Sequence, residues 1–230
     1  MIALIKKRIS TLNHPKEILF SIFFFIAYCL GFVFIEHRDT TYHLVSLPID
    51  KQIPFCAPFV LAYYSWFIYS FLLLFLFFMV SEEDYIKGYR FMAIGMTIFI
   101  LFNIVYPTSL DIRPETVPGN GPFAALIRTM YAVDTPTNVF PSIHVYNSIA
   151  MHAIIINSKW LRNKLLTLSK GNEILASSRL RILYKVSTIW ALLIILSTLF
   201  IKQHSIVDII GGLVLAGIVY LFVYGRIHRE

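Results

Sequence analysis

Residues 182–224 read ILYKVSTIWALLIILSTLFIKQHSIVDIIGGLVLAGIVYLFVY. Lys185, Lys202 and Asp208 are the only Lys, Arg, Asp or Glu in this run. As one helix it would be about 65 Å long, roughly twice the thickness of a bilayer's hydrocarbon core. The chain must therefore turn back, and the polar break Lys202–Ser205 is the place. Those residues then lie at a membrane surface, between spans 182–201 and 206–224.

Four more stretches upstream are apolar enough to pair with these two: Glu17–Ile35, Pro54–Val80, Gly88–Tyr106 and Phe140–Trp160. Composition agrees with such a count. Hydrophobic residues are 57% of the chain and charged residues 14%, where a soluble domain carries about 25% charged. A soluble globule, a disordered chain and a secreted disulfide scaffold are all excluded. The expectation is an all-α integral membrane protein, with residues 1–230 forming a single six-helix domain. The basic flank Lys6-Lys7-Arg8 resembles a signal peptide's start. The apolar run after it is too long for one, and no small-residue cleavage site follows.

The net charge of +7 needs no nucleic acid. Of the 20 Lys and Arg, all but Arg38, Lys51, Arg113, Arg128 and Lys202 fall near the N-terminus, residues 81–90, residues 159–185 and the C-terminus. By the positive-inside rule both termini are cytoplasmic. The segment 107–139 and the turn 202–205 then face outward from the plasma membrane. The segment is long, broken by Pro107, Pro114, Pro118, Gly119, Gly121 and Pro122, and reads as a functional loop.

Three groups at that surface carry chemistry. Arg113, in Asp111-Ile112-Arg113-Pro114, is a planar cation suited to phosphate, or else an interfacial arginine paired to Asp111 or Glu115. Phe140-Pro141-Ser142-Ile143-His144 opens the fourth span. Pro141 suits a first helical turn. Free N–H groups and the Ser142 hydroxyl would form an anion site with His144 at its edge. His152, eight residues on, reads as an interhelical histidine. The third group is Ser197–Asp208, STLFIKQHSIVD. His204 and Asp208 are four apart on one helical face, so the carboxylate can fix the imidazole's tautomer. Lys202 adds charge at the turn. Two histidines, an aspartate and cations at one surface suit phosphoryl transfer. A two-histidine, one-carboxylate metal site is the less favoured reading, because no His-x3-His or cysteine cluster accompanies it.

These residues resemble the type 2 phosphatidic acid phosphatase superfamily, whose motifs run K-x6-R-P, P-S-G-H and S-R-x5-H-x3-D. The match spans the motif-bearing region 106–212. The resemblance implies that His204 attacks phosphorus, Asp208 orients it, and His144 protonates the leaving oxygen. It also implies that Arg113, Ser142 and Ser197 bind phosphate oxygens and that no metal or other cofactor is needed. The motif lysine is here Tyr106, the glycine Ile143 and the arginine Thr198, and Lys202 would replace one lost cation. The expected activity is hydrolysis of a phosphorylated membrane lipid. The loss of cations also favours a singly charged phosphodiester, as handled by the similar sphingomyelin and inositol phosphorylceramide synthases. A transporter or an inactive lipid-binding relative is the non-enzymatic alternative. Against a transporter, these polar groups gather at one surface rather than at the midplane.

Overall fold

A computed structural model describes residues 2–225. Arg226 and Arg229, counted above among the cytoplasmic cations, lie outside the described residues. The helices are α1 (Ile2–Ile9), α2 (Pro15–His37), α3 (Pro48–Gln52), α4 (Val60–Val80, led in by a 3-10 turn at Ala57–Phe59), α5 (Glu82–Val105) and α6 (Pro122–Val133). After these come α7 (Ile143–Asn157), α8 (Lys159–Leu168), α9 (Glu173–Phe200) and α10 (Ile206–Val223). The regular structure of the described residues is helical apart from a two-residue parallel pairing and an isolated antiparallel bridge between Ser109 and Thr137. The parallel pairing joins β1 (His43–Leu44) to β2 (Thr108–Ser109), with His43 opposite Thr108.

Five helices are long and apolar enough to cross a membrane: α2, α4 with its 3-10 turn, α5, α9 and α10. They carry large apolar side chains on open surface, such as Phe20, Phe71 and Leu221. That is the pattern of helices facing lipid. Two of them start earlier than their apolar runs suggest, because polar caps extend them. Ser81 Oγ accepts from the Asp84 N–H at 3.4 Å, and three acids fill the first turn of α5. Asn172 Oδ1 accepts from the Leu175 N–H at 3.0 Å to start α9.

The expected fourth span differs most. Phe140–Trp160 is not one continuous helix. Ser142 caps α7 at one end, and Ser158 breaks the run at the other. The Ser158 hydroxyl accepts from the Leu161 N–H at 2.9 Å to start α8, and donates to Asp84 at 2.6 Å. This leaves α7 with 15 residues, about 22 Å of helix. Its residues 143–148 are all buried, and it packs against α4, α5, α9 and α10. It is the central stave of the bundle. The loop 107–139 is also not wholly irregular, since Pro122 at a first-turn position starts α6.

Candidate active site

Two helix starts meet at the end of α7. The turn between α9 and α10 is closed by the N–H groups of Gln203 and His204, which both donate to the Thr198 carbonyl, at 2.8 and 3.1 Å. α10 then begins in a capping box: Ser205 Oγ accepts from the Asp208 N–H at 3.2 Å, and Asp208 Oδ2 accepts from the Ser205 N–H at 2.8 Å. Asp50 of α3 adds a second acceptor, taking the Ile206 N–H at 2.9 Å. The Ser142 N–H donates to the Asp208 carbonyl at 3.0 Å, tying the start of α7 to α10.

Gly211 and Gly212 make that approach possible. A Cβ on Gly212 would lie 2.8 Å from the Ser142 carbonyl oxygen, and one on Gly211 would lie 2.3 Å from the Phe140 ring. Pro141 was expected in the first turn of α7. It instead precedes the Ser142 cap, in a cis peptide bond with Phe140.

The result is a chain of three side chains. His144 Nδ1 lies 3.1 Å from His204 Nε2, and His204 Nδ1 lies 3.3 Å from Asp208 Oδ2. A carboxylate accepts, so the His204 proton sits on Nδ1. Nε2 then keeps its lone pair, which takes the His144 Nδ1–H. All three residues are buried. The His144 ring is flanked by Tyr63 and Trp66 of α4, each with its ring centre 4.6 Å away. The histidines were read from the sequence as separate groups, and the structure brings them into direct contact.

They lie against a cavity of about 280 Å³. Tyr28 and Phe32 of α2, Trp66 and Phe67 of α4, and Phe99 of α5 form its apolar side, and the segment 133–139 forms its polar side.

The expected phosphate ligands lie elsewhere. Arg113 donates to the carbonyls of Tyr131 (3.4 Å) and Asp134 (2.6 Å) and to the Gln203 side chain. Its guanidinium lies 4.0 Å from the centre of the Tyr131 ring. Lys202 Nζ donates to the carbonyls of Asp50 and Ile53, at 2.6 and 2.5 Å. Each cation thus caps a helix C-terminus, Arg113 that of α6 and Lys202 that of α3. Ser142 Oγ accepts from the Val145 N–H as the cap of α7, at 3.4 Å. Ser197 Oγ donates back to the Ile194 carbonyl at 2.6 Å. None of these four residues lines the cavity. His152, as expected, is an interhelical histidine, with Nδ1 2.9 Å from Ser187 Oγ.

Three residues that the sequence did not single out do reach the site. Asp134 lines the cavity and accepts the Tyr63 hydroxyl hydrogen bond, and Gln203 lines it beside His204. Desolvation pushes the Asp134 carboxyl above the usual carboxylate range. The bulky polar pair Tyr63–Asp134 joins residues 71 apart. No local spacing signals such a contact.

The model of the PAP2 superfamily matches residues 93–230, more than half of the chain. Comparison with the curated proteins and with the solved structures gives no match.

Proposed function

This chain belongs to the PAP2 superfamily, the type 2 phosphatidic acid phosphatases, and from that premise we propose that it is a metal-independent lipid phosphatase working through a phosphohistidine. The superfamily's activity is phosphatase or phosphotransferase chemistry on lipid phosphates. The observation that carries the finer reading is the His144–His204–Asp208 chain at an aromatic-walled cavity.

The His204 Nε2 lone pair attacks phosphorus, forming the N–P bond as the bond to the lipid oxygen breaks. Asp208 holds Nδ1–H and stabilises the cationic ring. His144, entering the step as the imidazolium, gives one proton to the leaving lipid oxygen and becomes the neutral imidazole. It then takes a proton from water, whose oxygen attacks the phosphohistidine and releases phosphate. At 3.1 Å the two rings leave no room for phosphorus between them, so the bound phosphate parts the pair. Arg113 is the nearest candidate for a phosphate-oxygen ligand, by exchanging Gln203 for the substrate. Its Nε is buried without a partner among the described residues.

In this reading the whole chain acts as one membrane domain. α7 is the short fourth crossing, both termini are cytoplasmic, and the site faces outward from the plasma membrane. The distribution of Lys and Arg supports that orientation.

A second reading is transfer of a phosphodiester head group to a lipid alcohol. It is favoured by one feature: Arg113 and Lys202 are both bonded to carbonyls, and no Lys or Arg lines the cavity. The test is purified protein, without added metal, on phosphatidate, a polyprenyl pyrophosphate and a phosphodiester lipid paired with ceramide or diacylglycerol. Products are followed by phosphorus NMR. Inorganic phosphate supports hydrolysis, and a new phosphodiester lipid supports transfer. No turnover of any of them by wild-type protein, or turnover retained by His204→Ala, overturns the mechanism. Loss on chelation with rescue by a divalent ion would return the metal reading.

A further inference from the structure

A polar turn between two apolar helices is ordinarily open to water, yet Ile201, Lys202, Gln203, His204 and Ser205 are all buried. The segment 45–56 lies against them. A buried turn needs partners for its backbone groups, and this segment supplies them. The Cys56 N–H donates to the Phe200 carbonyl at 2.9 Å. Ser205 Oγ reaches the Val45 carbonyl at 3.5 Å.

One residue of the segment, Asp50, is bonded on both sides of His204. Its carbonyl accepts from Lys202 Nζ at 2.6 Å, and its Oδ1 accepts from the Ile206 N–H at 2.9 Å. Lys202 stands two residues before His204, and Ile206 two after. Asp50 Oδ2 accepts from the Leu47 N–H at 2.7 Å, which fixes the carboxylate's own direction. The side chain is buried, at 1% exposure. Lys202 has a φ of 57°, a left-handed conformation that a lysine keeps only where its surroundings hold it. The holding groups are the carbonyls of Asp50 and Ile53. The segment is itself anchored before it reaches the turn. β1 pairs with β2, and Ser46 and Lys51 both donate to Asp111.

We propose that Asp50 is a positioning residue for His204. It fixes both ends of residues 202–206, and so keeps His204 Nδ1 on Asp208 and Nε2 at His144. Misplacing a reacting group by about 1 Å costs on the order of 10²-fold in rate, so such a clamp bears on turnover and not on stability alone. Asp50 stands outside residues 93–230, the stretch that the family model matches.

This role rests on the reading of His204 as the nucleophile, so one arm of the test is independent of turnover. Asp50→Ala removes the carboxylate, while Asp50→Asn keeps one acceptor for the Ile206 N–H. At a temperature where both are folded, Asp50→Ala is expected to lose about 10–100-fold in kcat, and Asp50→Asn less, with KM within about twofold. The substrate is the lipid that wild-type protein turns over fastest among those named above. Asn172→Ala uncaps α9 at its end remote from the turn. As the control for lost stability, it should lower Tm with kcat within about twofold. The second arm is the downfield proton resonance of His204 Nδ1–H, assigned by its loss in His204→Ala. It is expected in wild-type protein, and expected to broaden or move upfield in folded Asp50→Ala. Should Asp50→Ala not fold, Asp50→Asn carries both readouts. An unchanged resonance, its absence from wild-type protein, or an unchanged kcat overturns the proposal. A raised KM at unchanged kcat also overturns it and makes Asp50 a substrate ligand. If wild-type protein turns over no lipid, the resonance alone decides. A resonance altered by Asp50→Ala, with turnover retained by His204→Ala, would overturn the catalytic reading and leave the clamp standing.

Discussion

His144 and His152 stand two turns apart on α7, about 12 Å along its axis, and their surroundings could hardly differ more. His144 touches a second histidine that is itself held by a carboxylate. His152 hydrogen-bonds to Ser187, which also bonds the Tyr69 hydroxyl at 2.8 Å. Tyr69 and Ser187 lie at an almost wholly apolar groove of about 400 Å³, walled by residues such as Leu73, Leu183 and Trp190. The larger space is therefore the one without a base, a carboxylate or a charged group. One helix and one residue type give two outcomes, so the side chain alone decides little. What distinguishes His144 is a partner able to fix its tautomer, and that partner, His204, comes from the turn before α10.

The strongest way to break this comparison is to remove each histidine. His204→Ala is expected to fall below about one-thousandth of wild-type turnover, with the protein still folded in detergent. His144→Ala should lose about 10²–10⁴-fold, the range of a lost general acid. His152→Gln should stay within about threefold. A His152 variant as inactive as His204→Ala would erase the distinction.

Asp208→Asn sharpens it. An asparagine amide can turn its N–H toward Nδ1 and so leave the proton on the wrong nitrogen. A loss of about 10²-fold or more is expected, with a small loss of stability from the weakened capping box. Little change in turnover would mean that His204 needs no orienting carboxylate.

Gly212→Ala tests how closely the pair is set. The added Cβ would press on the Ser142 carbonyl at 2.8 Å and on Val145 Cβ at 3.0 Å. It should cost about 1–3 kcal/mol of stability. It should also lower turnover at least tenfold, because His144 shifts with the start of α7. Thermal unfolding and turnover measured on the same sample would show both effects or refute the account.

Lys202→Met distinguishes a structural cation from a ligand. Two carbonyls lose their donor, at a cost of about 1–3 kcal/mol, while KM should change by less than about twofold. A tenfold rise in KM with an unchanged Tm would make Lys202 a phosphate ligand after all. The smallest effect belongs to Asp111, which accepts from Ser46 and from Lys51 Nζ at 2.9 Å. The Ser46 hydroxyl, then Lys51, hold its carboxyl below the usual carboxylate range. Its contribution is present above the unfolded-state value and is lost as pH falls through the lowered folded value. Both partners of the ion pair are well exposed, so screening holds the effect of Asp111→Asn to about 0.2–1 kcal/mol, fading in high salt.

Much of this molecule was legible from spacing. The 43-residue run could not be one helix, and its turn lies where the polar break placed it, between Phe200 and Ile206. His204 and Asp208 were paired by a helical interval, which is a local rule. The partners that hold the cations in the structure were not legible, for a physical reason. In sequence Arg113 and Lys202 look like free charges near phosphate. In the structure they satisfy carbonyls at the ends of α6 and α3, two short helices whose C-termini no local signal marked. Asp134 and Tyr63 escaped notice because their contact is non-local. The bounds of the fourth stretch moved inward because hydropathy does not register the serines at both ends of α7.

The shortness of α7 also bears on how the chain enters a membrane. About 22 Å of helix carrying His144, Asn147, Ser148 and His152 is a poor candidate for independent insertion. His144 and His152 find their partners on His204 and on Ser187 of α9, and α9 and α10 are made after α7. The segment that carries His144 should therefore settle last, drawn in between helices already in place. Chains truncated after α8 and tagged for glycosylation on either flank of α7 would read this directly. Stable insertion of α7 in the absence of α9 and α10 would contradict it.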